Sequence, residues 1–195
     1  MICTKNDLRK YIELDKSALG LSDKKLINLF KELLFPNYIE RFQKLLRISE
    51  YHKNNNRNLI NKILFIYYYF LFVRLSVKLG FSIPLNVFGP GLCIVHYGTI
   101  VVSANAKVGA NCRIHPSTCI GAAGGKNEAP TIGDNVYIGP GAKLYGNIII
   151  ENNIAIAPNA AVSSNFTERG ILIGGVPAKK IKEVDITTII KHIKL

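Results

Sequence analysis

The sequence predicts a mainly β fold: a solenoid of six-residue repeats preceded by an α-helical segment. Two periodicities and one boundary carry this reading. Beyond residue 80 aliphatic side chains recur every six positions. Before it they recur at spacings of three and four, as on one stripe of a helix. Gly80 stands between the two textures.

The β segment is the more specific of the two. Steps of six from Ile132 reach Ile138, Leu144, Ile150, Ile156 and Val162. Four positions after each of these six aliphatics come Val136, Ala142, Ile148, Ile154, Ala160 and Phe166. The same period links Val102, Val108, Ile114 and Ile120, and a shorter run links Phe88 and Ile94. The runs slip by two residues near positions 99–101, and a loop at 122–131 takes the place of one repeat. A period of six fits neither a helix nor an alternating strand. It fits a coil with three short strands, one per side. The aliphatic residue then points inward and stacks on its equivalent one coil away, so adjacent coils bury each other. This domain is expected over residues 81–183, with a C-terminal tail at 184–195 that is expected to be helical.

Residues 1–80 are expected to be helices. Leu26, Leu29, Phe30, Leu33 and Leu34 form one stripe, which Pro36 and Asn37 interrupt. Ile39, Phe42, Leu45, Leu46 and Ile48 form a second. Residues 52–58, HKNNNRN, are expected to be a polar loop. A third helix is expected over Leu59–Leu79, with Gly80 as its stop. Its centre, ILFIYYYFLFV at 63–73, is apolar on every side, so the helix is expected either to be buried or to lie on a lipid surface. That run is shorter than the roughly 20 residues a bilayer span needs.

Composition bounds the function. The chain has 195 residues, 48% of them hydrophobic, which excludes a disordered chain. Basic residues outnumber acidic ones 25 to 13. Residues 1–80 carry 15 and 7, net +8, and residues 81–195 carry 10 and 6, net +4. An anionic partner follows: a nucleotide phosphate, a membrane surface or a charged glycan. There is no Trp, no long Lys/Arg run and no nucleic-acid motif, so nucleic acid is not expected as a partner. Cys3, Cys93, Cys112 and Cys119 make no C-x-x-C pair, so no metal site is expected, and they are read as small buried fillers in a reducing cytosol. The N-terminus has no apolar core of signal-peptide length. A cytoplasmic location is expected, at most peripheral at the inner face of the membrane.

Four stretches carry a family resemblance: GLCIVHYGTIVV at 91–102, the loop and strands at 121–148, IAPNAAV at 156–162 and GGVPAKKI at 174–181. Together they resemble the hexapeptide-repeat acyltransferases, most closely the serine acetyltransferase branch. The resemblance implies a left-handed parallel β-helix that forms homotrimers, with hexamers as a further possibility through the helical segment. It implies acetyl transfer from acetyl-CoA to a hydroxyl, with His96 as general base. Imidazole titrates near the working pH and can take the hydroxyl proton as attack begins. The donor would lie between two subunits along Gly139, Pro140, Gly141, Ala142, Ala157 and Pro158. Lys179 would meet a phosphate, with Lys143 or Lys180 assisting. His115, Glu128 and Tyr97 are candidates for the acceptor side of the cleft. A backbone carbonyl or Glu128 would orient His96. His52 and His192 are expected to face solvent.

The departures from the resemblance concern the acceptor. An acid that precedes the histidine in the serine enzymes is Val95 here, and a second acid fifteen positions upstream is Phe81. An Arg-His pair before a proline is Glu128-Ala129 before Pro130. A carboxylate needs cationic donors. These departures imply that free serine is a poor acceptor, and that the acceptor is a sugar hydroxyl of a surface polysaccharide or its precursor, a glycan. Serine is the alternative acceptor, and a non-catalytic trimeric scaffold is the alternative class.

Overall fold

The computed structural model describes residues 1–21 and 36–193. The expected stripe from Leu26 to Leu34 lies outside the described residues.

Three helices are described in the N-terminal part, each started by a side-chain cap. Helix α1, Lys5–Ala18, begins with a reciprocal box: the Thr4 hydroxyl accepts from Asp7 N, and the Asp7 carboxylate accepts from Thr4 N. Helix α2, Tyr38–Asn54, starts at Asn37, whose side chain accepts from Glu40 N. It runs two residues past His52, where a polar loop was expected. The reason is that His52 is buried rather than solvent-facing: its ring stacks on Tyr68 at 5.5 Å and Nδ1 lies 3.3 Å from Asn61 Oδ1. Helix α3, Leu59–Leu79, is capped by Asn58 and ended by Gly80 at φ 77. Its buried residues are Phe72, Ser76 and Leu79, which lie on one face. Phe72 stacks on Phe42 of α2 at 5.2 Å.

From Phe81 the chain winds into a parallel β-helix with three sheets, of five, three and six strands. The register joins equivalent residues of successive coils. Ile94, Ile114, Ile138, Ile156 and Ile173 stack in one row. Val102, Ile120, Leu144 and Val162 form a second, and Val108, Ile132 and Ile150 a third. Every residue in these rows is at most 5% exposed. The six-residue spacing is thus the spacing of the interior. At one corner Asn111, Asn135 and Asn153 hold φ of 56, 57 and 62, and the amide of each of the first two donates to the next at 2.8 Å. Asparagine tolerates this left-handed backbone, and the ladder satisfies its side chain.

The two ends of the solenoid are covered differently. Ile171–Gly175 and Ala178–Glu183 close one end as an antiparallel hairpin. Among its described residues the tail beyond it supplies one 3-10 turn, Ile186–Thr188, rather than the expected helix. Its residues 186–190 are Ile-Thr-Thr-Ile-Ile, β-branched throughout, a poor helix sequence. Ile186 and Ile190 pack instead with Ala155. His192, expected in solvent, is half-buried with Nε2 3.4 Å from Asn111 Oδ1.

The helices cap the other end. A first coil has no coil before it, so its backbone groups need other partners. Gln43 donates to Leu92 O at 2.6 Å and accepts from Ile94 N at 3.3 Å. Asp15 accepts from Gly91 N and Leu92 N at 2.8 and 2.9 Å, and Glu50 accepts from Asn86 N at 2.7 Å. Arg47, fully buried, ties the carboxylates together: it donates to Asp15 at 2.8 Å, to Glu50 at 3.0 Å and to the carbonyls of Phe88 and Gly89 at 2.9 and 2.7 Å. Burial opposes its charge, but Asp15 and Glu50 outweigh that and hold the guanidinium protonated.

All four cysteines are free. Cys93 and Cys112 are buried fillers, and burial pushes both thiols up. Cys119 is partly buried, and Cys3, contrary to expectation, is exposed.

Candidate active site

The β-helix register decides which of the candidate residues meet. The row Ile94, Ile114, Ile138, Ile156 lies inside the coil. One residue later the chain turns outward, in a second row of Val95, His115, Gly139 and Ala157. Their amides donate to Ile114, Ile138, Ile156 and Ile173 carbonyls at 3.2, 3.2, 2.9 and 2.8 Å. One residue further is a third row, His96, Pro116, Pro140 and Pro158. It is tied by Gly141 N to Pro116 O at 3.0 Å and Asn159 N to Pro140 O at 2.9 Å. His96 therefore stands at the head of one corner of the solenoid, and Pro140 and Pro158 lie down the same corner. Neighbouring coils are about 4.8 Å apart, so the corner from His96 to Pro158 is about 14 Å long. Gly174, which pairs with Lys179, follows in the second row. Pro116 was not singled out from the sequence. Its signal was present: the prolines at 116, 140 and 158 are separated by multiples of six.

His96 is exposed, and no hydrogen bond to its ring is made among the described residues. His115 is its neighbour, with ring centroids 6.3 Å apart, and it packs edge-on against Tyr137 at 5.1 Å. Its Nε2 is buried with no partner among the described residues. Burial, then the Arg113 guanidinium, then His96 hold His115 below the usual histidine range. The pair is thus one exposed imidazole beside one held neutral at pH 7. Arg113, a cation on the strand leading to His115, was missed from the sequence. Beside His96, Val95 and Tyr97 line a cavity of about 660 Å³ that Leu19, Tyr38 and Ile39 close from the helical side.

Other candidates do not meet here. Glu128 is exposed on the loop after Gly121, whose residue Asn127 is held by Asn105 at 2.8 Å, and no contact joins Glu128 to His96. The side chain of Ala142 is fully buried in the coil interior, so only its backbone can face a donor. Gly139 has a reason of its own to be glycine: a Cβ there would lie 2.7 Å from Ile156 O and 2.8 Å from Pro158 N. Gly141 takes φ +77 at the turn. Lys143 donates to the Ser117 carbonyl and Lys180 pairs with Glu168, whereas Lys179 is exposed and makes no ion pair among the described residues. Among the described residues no group of three His, Cys, Asp or Glu side chains could hold a metal ion.

The family described as bacterial transferase hexapeptide (six repeats) matches residues 129–164. That match falls wholly within the β-helix. A serine acetyltransferase from Buchnera aphidicola subsp. Schizaphis graminum is 32% identical over 115 residues, which are 57% of this chain and 44% of that protein. The chain thus spans less than half the length of this relative. In structure, the serine acetyltransferase of Neisseria gonorrhoeae is 26% identical with a TM-score of 0.72, over 98% of this chain and 73% of that one. A serine acetyltransferase from Brucella abortus strain S19, solved in complex with coenzyme A, is 24% identical with a TM-score of 0.67, over 93% and 70%. The likeness spans the helical cap as well as the β-helix, and the fold is the left-handed β-helix.

The expectation of a surface-polysaccharide acceptor is overturned by these comparisons, since each of these relatives is a serine acetyltransferase. The structure supplies the physical reason for the misreading. Phe81 is a core residue, 4% exposed, edge-on to Phe42 at 4.9 Å. Ala129 is 7% exposed in the same core. A missing charge at such positions reports packing, not the acceptor.

Proposed function

We propose that the chain is an acetyl-CoA-dependent serine O-acetyltransferase with His96 as general base. One observation carries this reading: His96, the Pro116–Pro140–Pro158 strip and the Gly174–Lys179 hairpin lie along a single corner of the β-helix. The likeness to serine acetyltransferases supports the acceptor, and the coenzyme A complex of the Brucella abortus protein supports the donor.

The corner suits an extended donor. Lys179 would meet a phosphate at the far end, the pantetheine arm would run along the prolines, and the thioester would arrive at His96. The imidazole takes the proton of the serine hydroxyl as that oxygen attacks the thioester carbonyl. The tetrahedral intermediate then expels the thiolate of CoA, which recovers the proton from the imidazolium. An ester bond forms and a thioester bond breaks, leaving O-acetylserine and free CoA. His115, whose ring centroid is 6.3 Å from that of His96, and Tyr97 are polar groups beside the base. His96, Pro140 and Pro158 are exposed in one chain, which leaves room for a neighbouring subunit of the proposed homotrimer to wall the donor groove. The proposed use of acetyl-CoA supports a cytoplasmic location.

The test is thiol release from acetyl-CoA with L-serine as acceptor, for wild type and His96→Asn. The variant should lose at least about 100-fold in turnover, the lower scale of a general base, with acetyl-CoA affinity kept. No serine-dependent release by the wild type refutes the acceptor. A variant with more than about a tenth of wild-type turnover refutes the base.

A further inference from the structure

Helix α3 and the groove beside it form a surface with no role in acetyl transfer. The face of α3 opposite Phe72, Ser76 and Leu79 is apolar and open. Ile63, Ile66, Tyr67, Phe70 and Val77 are 57, 67, 56, 55 and 79% exposed. Their spacing of three, four and seven residues makes them one stripe along the helix. Large contiguous apolar patches of this kind mark interaction sites.

The edge of the stripe is cationic. Between α2 and α3 runs a groove of about 710 Å³ with a floor of Leu45, Ile48, Leu71 and Leu75. Arg41 and Lys44 stand on its α2 side and Arg74 and Lys78 on its α3 side, and no carboxylate lines it. All four are exposed, and none makes an ion pair among the described residues. Lys78 lies over the Tyr38 ring at 3.8 Å and Arg74 over the Phe70 ring at 5.5 Å. Aromatic faces thus hold these charges at the rim of the apolar stripe. Lys62 is exposed on the far side of the same helix.

We propose that this face docks on an anionic lipid surface, with α3 lying in the plane of the interface. The stripe would enter the acyl boundary, and the groove cations would meet lipid phosphates, with acyl carbon against the apolar floor. Charge complementarity selects this occupant. A second copy placed face to face would set four cations against four, with no acid from either groove. A negatively charged leaflet attracts each of them. Tyrosines at the edge of the stripe suit the headgroup level. By length and composition α3 could also cross a bilayer, since it has 21 residues and a mean hydropathy of 1.4. Its packing says otherwise: Phe72 is held in the core by Phe42, and α3 leads directly into the first strand at Phe81. A helix anchored along one face can lie on a membrane but cannot leave the core to span it.

The experiment is vesicle flotation of the full chain with phosphatidylcholine vesicles containing about a third phosphatidylserine, against phosphatidylcholine alone. At low salt the wild type should float with the anionic vesicles and stay behind with the neutral ones. About 0.5 M salt should release it, as expected of surface binding. Phe70→Asp, and separately Arg74→Glu with Lys78→Glu, should each lower the bound fraction at least about tenfold. All three residues are exposed, so helix content by circular dichroism should be unchanged. Failure of the wild type to float overturns the proposal. So does undiminished flotation of Phe70→Asp, which would reduce the effect to the net charge of the chain. Retention at high salt would mean insertion rather than docking. A self-associated wild type that Phe70→Asp dissociates would give the face to a second copy.

Discussion

Arg47→Met tests whether the helical segment holds the β-helix closed. Methionine keeps much of the side-chain volume but none of the donors. The change removes the bonds to Asp15 at 2.8 and 3.3 Å, to Glu50 at 3.0 Å and to the Phe88 and Gly89 carbonyls at 2.9 and 2.7 Å. It strands two carboxylates on residues only 3% and 2% exposed. Breaking a buried ion pair from one side costs about 3–5 kcal/mol, because the remaining charge is left uncompensated. The two carbonyls add to this, though less than additively since all belong to one network. A loss of about 4 kcal/mol is a large part of the 5–15 kcal/mol that holds a typical domain together. Urea unfolding followed by circular dichroism gives the difference directly. Adding Asp15→Asn and Glu50→Gln should recover part of the loss, because no unpaired buried charge is then left. A loss under about 1 kcal/mol for Arg47→Met would refute the cap as a stabilising element.

Two further outcomes concern the corner that carries the site. The folded state holds His115 below its ordinary value, so its contribution to stability is complete above about pH 6.5 and is lost as pH falls through the lowered value. His115→Gln should flatten the fall in the urea midpoint between about pH 6.5 and pH 5, and an unchanged slope would remove His115 as its source. Gly139→Ala would bring a Cβ to 2.7 Å from a backbone oxygen of the next coil, where nothing flexible can give way. It should cost about 1–3 kcal/mol in a thermal or urea melt, and a neutral result would mean that the coils can part there.

The rows of the β-helix were legible because the repeat turns distant contacts into local spacing. Ile120 lies on Val102, and Val162 on Leu144, each three repeats away, and the six-residue period already states it. The same arithmetic puts the three prolines on one corner, whereas His96 joins them across the two-residue slip, which only the register shows. The cap had no such signal. Arg47 reads as one more cation on an amphipathic helix, and its burial depends on Asp15, 32 residues earlier, and on carbonyls 41 and 42 residues later. Composition alone could not divide α3 into a packed face and an open one either, because apolar residues lie on both. The acceptor was misread for a related reason. Phe81, Val95 and Ala129 all stood where a charge was sought, and the sequence could not say which of them faces the cleft. Phe81 and Ala129 are in the core, where a carboxylate or guanidinium would need its own buried partner. Val95 alone of the three lines the cavity beside His96. Only there does the loss of a charge bear on the acceptor, and one such position is too little to outweigh a likeness that spans cap and β-helix together.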